Sequence, residues 1–75
     1  MDVLFEGEVG KRYKIVEVLK SNDAISRRLL ELGFVGGQVV KVIAKSLQKK
    51  VFLVEIRGYI LSVRAEILKR VRVVI

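Results

Sequence analysis

The sequence predicts a mainly β fold, a small five-stranded barrel with one short inserted α-helix at about residues 23–32. Three observations lead there. Val and Ile together number 21, against 12 for Leu plus Ala, an excess of β-branched side chains that suits pleated, half-buried strands. Apolar and polar residues alternate with period two through most of the chain after Gln38. Only one stretch, from Ile25, carries apolar residues at helical steps of four and three, at Ile25, Leu29 and Leu32. At 75 residues the chain is expected to form a single domain, residues 1–75, with roughly 60 % of its unfolded surface buried and little margin in its core.

Gly7 and Gly10 bracket an opening loop, after which Tyr13 to Leu19 reads as the first strand. Ser21, Asn22 and Asp23 are three candidate helix caps, and Asp23 also brings a carboxylate to the positive end of the helix. Gly33 then marks the helix exit in a left-handed conformation, and Gly36-Gly37 supplies a second turn before the next strand. In that strand, Gln38 to Ser46, the inner face is expected to hold Val40, Val42 and Ala44, and the outer face Lys41, Ile43 and Lys45. Leu47 to Lys50 has hairpin length. Val51 to Ile56 follows with Phe52, Val54 and Ile56 on one side, Arg57-Gly58 turns the chain, and Tyr59, Leu61 and Val63 form the corresponding face of the next strand. Ala65 to Leu68 is long enough for one helical turn before a last strand, Val71 to Val74. So small a sheet avoids open edges most simply by curling into a barrel.

The chain contains no Cys and no His, which excludes disulfides and thiolate or imidazole metal sites, and points to no metal ligands and no cofactor. The eight acidic residues are dispersed, with Glu6 and Glu8 the one close pair, so general acid-base or nucleophilic chemistry has no constellation to use and no enzyme activity is expected. Asp2, Glu6 and Glu8 would be the first carboxylates to consider for a weak metal contact. Gly33 to Gly37 follows a helix instead of preceding one and is not succeeded by a Lys-Ser/Thr pair, so it is a turn and not a phosphate cradle. No apolar run exceeds four residues, Val51 to Val54, against the ~20 needed to span a bilayer, and a cytoplasmic location is expected.

Two basic groups, Lys41, Lys45, Lys49 and Lys50, then Lys69, Arg70 and Arg72, could follow a phosphate backbone, with Phe5, Tyr13 and Tyr59 as stacking platforms. A small basic barrel binding RNA or DNA is therefore the alternative function. The net charge of +7 sits inside the range of about 2 to 8 common for soluble small domains, and a solvated strand face accounts for most of these lysines. Arg27, Arg28 and Leu30 fall off the apolar stripe of the helix. With Phe34 and Val35 in the turn beyond it, they are the expected partner-binding residues, while Gly33, Gly36 and Gly37 are the structural turn.

Arg28-Leu29-Leu30-Glu31-Leu32-Gly33-Phe34-Val35-Gly36-Gly37, followed by a valine-rich strand, resembles the signature RL-x-x-LG-hydrophobic-x-PG of FeoA-type proteins. Gly58 to Ile67, followed by Val71 and Val73, resembles that family's second block, a strand ending near an arginine, a Glu-containing turn and a last strand. The resemblance covers essentially residues 8 to 75. The resemblance implies an SH3-like barrel that serves bacterial ferrous iron uptake by contact with the cytosolic part of the transporter FeoB, touching the membrane only through that transporter. It leaves homo-oligomer formation open. A similar domain ends iron-dependent repressors of the diphtheria-toxin-repressor type, whose DNA- and metal-binding parts do not fit in this length, so the stand-alone accessory is expected. Two departures are notable: Gly36 stands where the family usually has proline, and Gln48-Lys49-Lys50 replaces a commoner Gly-Asp-Pro tip.

Overall fold

Alternation decides which side of each strand is buried. In the computed structural model, which describes residues 2–19 and 24–75, Phe52, Val54 and Ile56 are sealed in the core while Val51 and Leu53, which alternate with them, are exposed. The elements are β1 (Asp2–Val3), a 3-10 turn (Leu4–Glu6), β2 (Arg12–Val18), α1 (Ala24–Leu32), β3 (Val39–Lys45), β4 (Val51–Ile56), β5 (Tyr59–Arg64), α2 (Ala65–Leu68) and β6 (Val71–Val74). All pairings are antiparallel, in one sheet of order β1-β6-β2-β3-β4-β5. The sheet curls, because Phe5, just after the strand at one end of that order, stacks on Phe52 of β4 near the other, with ring centroids 6.0 Å apart. The five expected strands and the helix are present, and the two-residue β1, which the alternation does not announce, adds a short sixth.

One core fills the curl. It joins Leu4, Ile15, Leu29, Phe34, the β4 triad, Leu68, Val71 and Val73, and among the described residues no polar or charged side chain is buried with them. The folded state is held by apolar burial, roughly 25 cal/mol for each Å² removed from water, together with backbone hydrogen bonding. Cross-strand charge adds at the rim, where Arg72 donates to Glu17 of the neighbouring strand.

Several expectations shift by small amounts for identifiable reasons. The strand expected over Tyr13 to Leu19 is β2 and runs Arg12–Val18. The three candidate caps Ser21, Asn22 and Asp23 lie outside the described residues. Ala44 is only half-buried, because a bulge interrupts the β3–β4 register between Val42 and Ala44 and the clean alternation ends at Val42. In β5 only Val63 is buried, Leu61 is half-buried and Tyr59 is exposed, as suits the last strand of the sheet. Ala65–Leu68 is the single helical turn expected.

A second bulge, between Ile15 and Glu17 of β2, explains the glycine where the family usually has proline. A Cβ at Gly36 would lie 2.8 Å from the Val16 carbonyl oxygen, closer than such contacts come, and that oxygen belongs to backbone that cannot swing away. Gly36→Ala is therefore expected to cost about 1 to 3 kcal/mol, the range for overpacked sites. Gly37→Ala meets no atom within 4 Å and is strained only by its positive φ of 92°. Denaturant midpoints of the two variants check this, and a Gly36→Ala protein as stable as the parent would show that the β2 bulge yields easily.

Candidate functional site

Helix α1 leaves the barrel by a turn that its own sequence specifies. Gly33 has φ of 105°, and two backbone bonds close the end: the Gly33 amide donates to the Leu30 carbonyl at 3.1 Å, and the Phe34 amide to the Leu29 carbonyl at 3.0 Å. This is the paired bonding of a Schellman motif, in which the residue after the glycine turns back onto the helix residue five positions earlier. Phe34 accordingly enters the core with Leu29, each almost fully buried. The expectation that Phe34 displays itself in an exposed turn is thus corrected, since the turn that only glycine fits easily is the device that tucks it in. Val35, one residue on, is exposed.

The helix buries less of its apolar stripe than the spacing suggests. Leu29 is buried and Leu32 packs at the edge of the core, but Ile25 is 39 % exposed. Its first turn overhangs a groove instead of the barrel interior. That groove, an open trough of about 800 Å³, runs between α1 and the segment from Leu61 to Ile67, and its lining includes the apolar Ile25, Leu61 and Ile67 and the basic Arg27, Arg28 and Arg64. Glu31 is the acidic residue in it, 4.0 Å from Arg28, and both side chains are about 70 % exposed, so the pair contributes little to stability.

Of the five expected partner-binding residues, Arg27 and Arg28 are brought together on one wall of the groove. Leu30 is 60 % exposed but is not part of the groove. At 100° per residue it lies on the other side of the buried Leu29 from Arg28. Leu61 and Arg64 were not anticipated as neighbours of the helix. They lie more than thirty positions later on another element, and no local pattern signals which flank of the helix an edge strand will face.

Among the described residues no three or more carboxylates converge to hold a metal, and Glu8 is paired with Lys11 at 3.3 Å. Two of the three expected stacking platforms are engaged within the fold. Tyr13 is buried with its hydroxyl accepting from the Glu8 amide at 2.8 Å, and Phe5 is stacked on Phe52. The ammonium groups of Lys69 and Lys45 already sit over Phe5 and Phe52, at 4.8 and 4.7 Å from the ring centroids. Tyr59 alone of the three presents an exposed ring.

A curled antiparallel sheet of short strands, one helix inserted between its second and third, and a groove beside that helix define a small SH3-like barrel. The chain belongs to the FeoA domain family, whose sequence model matches residues 4–75. It is similar to the crystal structure of zinc-complexed FeoA from Stenotrophomonas maltophilia, described as an SH3 domain protein and a candidate ferrous iron transport activating factor. The two share 34% identity at a TM-score of 0.87, covering 97% of this chain and 89% of that one. The solution structure of FeoA from Chlorobium tepidum is 29% identical at a TM-score of 0.88, over 97% of this chain and 69% of that one. A manganese-dependent transcriptional repressor shares the fold, with a TM-score of 0.85 at 14% identity, over 96% of this chain and 40% of the repressor. No curated protein sequence matches the chain.

Proposed function

We propose that this chain is a non-enzymatic cytoplasmic accessory of ferrous iron uptake that acts by direct contact with the cytosolic part of the transporter FeoB. Membership of the FeoA family supports the link to ferrous iron. The observation that carries the contact is the groove beside α1, lined by exposed arginines and apolar side chains on a scaffold held rigid by its packed core. Arginine beside apolar area is what the energetic centres of protein interfaces favour. The contact region comprises Arg27 and Arg28 on the groove wall, with Leu30 and Val35 extending it around the helix.

Titration of the purified chain into the cytosolic part of FeoB tests this, with saturable heat expected in calorimetry and no measurable binding as the result that removes the reading. Among the described residues no helix is long and apolar enough to cross a membrane. Nucleic-acid binding is disfavoured by the covered rings of Phe5, Phe52 and Tyr13. Only the weak, salt-sensitive attraction of any +7 protein is expected for RNA or DNA.

A further inference from the structure

The sheet has two edges, and they are not alike. β1 closes one end with two residues, while β5 forms the other with six, Tyr-Ile-Leu-Ser-Val-Arg. Natural edge strands are blunted by shortness, proline, lysine, inward charge or bulges. β5 carries no proline or lysine and a single charge, Arg64 at its end; its register with β4 is unbroken over all six pairs, and the two bulges among the described residues lie elsewhere in the sheet.

The phase of its hydrogen bonding follows from the turn. Arg57 and Gly58 both have positive φ, 53° and 83°, the two-residue hairpin geometry in which the flanking Ile56 and Tyr59 exchange backbone bonds. The Ala65 amide donates to the Lys50 carbonyl at 2.8 Å, in the same phase six residues on. Tyr59, Leu61 and Val63 therefore direct their backbone groups to β4, and Ile60, Ser62 and Arg64 direct theirs away from it. Among the described residues no strand pairs with that outer side. Ser62 and Arg64 line the groove, with α1 as the facing wall.

We propose that the outer edge of β5 takes an extended acidic segment of a protein partner as an added strand, laid in the groove beside α1, a mode that rests on the protein-contact reading above. The backbone edge supplies affinity, and the side chains of the groove select the occupant. Ile25, Leu61 and Ile67 receive apolar side chains from one face of the added strand, and the Arg27, Arg28 and Arg64 guanidiniums receive carboxylates, against Glu31 as the one acidic residue that lines the groove among the described residues. A second copy of this chain is the poorer occupant, because it would bring two +7 molecules edge to edge.

Amide hydrogen exchange of the full chain, alone and bound to the cytosolic part of FeoB, tests the mode. Exchange at Ile60, Ser62 and Arg64 is expected to slow at least tenfold in the complex, with little change at Tyr59, Leu61 and Val63. Ser62→Asp, which keeps the backbone and adds a charge repelling an acidic segment, is expected to weaken binding at least tenfold, and Ser62→Lys to preserve it. A complex that leaves the three outward amides unprotected would overturn strand addition while the accessory role stands. Absence of any complex would overturn both. Protection of the same amides in the free chain, rising with its concentration, would make a second copy the occupant and overturn the assignment to an acidic partner.

Discussion

Phe34→Ala is expected to destabilise the chain by about 3 to 5 kcal/mol, the cost of removing a buried aromatic ring and leaving its cavity. The ring is 1 % exposed and belongs to the single core cluster, where no second layer of structure can close over the gap. It is also the residue that the Schellman turn folds back toward Leu29, so its loss frees the helix exit as well as the core. For a domain of this size, with about 0.05 to 0.15 kcal/mol of stability per residue, that change consumes about a quarter or more of the total. Val35→Ala, one position along on an exposed side chain, is expected to stay within about 0.5 kcal/mol of the parent. Denaturant midpoints of the pair make the comparison, and equal, small effects at both positions would mean that Phe34 does not anchor the helix.

The contrast between these neighbours shows what the sequence makes legible. Elements whose periods are clean, such as β4 with Phe52, Val54 and Ile56 inward, are readable because a strand buried on one face has a single register that hides its apolar set. The glycine at position 33 was equally readable, because left-handed backbone at a helix end is a local requirement, and its φ of 105° meets it. Phe34 was misplaced although the signal was present, since an apolar residue directly after such a glycine is the one the motif folds inward. Ile25 was misplaced without any signal. Its spacing from Leu29 is that of a core residue, and only the overhang of the helix beyond the barrel exposes it. The same holds for Ala44, whose half-burial is set by the bulge in β3. The groove was half legible: Arg27 and Arg28 could be seen as a basic helix flank, but the opposite wall and the open edge of β5 arise from strand order, a property of the whole sheet.

Arg28→Glu combined with Leu30→Ser is expected to abolish support of ferrous iron uptake while leaving the melting temperature within a few degrees of the parent. Both side chains are exposed, and surface changes of this kind usually cost under about 0.5 kcal/mol each. Arg28→Glu also places a carboxylate three residues before Glu31, replacing a 4.0 Å ion pair by a like-charge contact that costs a few tenths of a kcal/mol. The partner surface suffers more. One substitution reverses charge on the groove wall, and the other removes an apolar side chain that is 60 % exposed on the far flank of α1. The single variants divide the effect between the flanks. Loss with Arg28→Glu alone places the contact in the groove, where the β5 edge lies, whereas loss with Leu30→Ser alone places it on the flank that faces away from the groove. Uptake is measured in cells that lack their own accessory and express each variant at the parent's level. A folded double variant that restores full uptake there would remove α1 from the interface and turn attention to the basic hairpin from Lys41 to Lys50, whose tip carries the fully exposed Leu47.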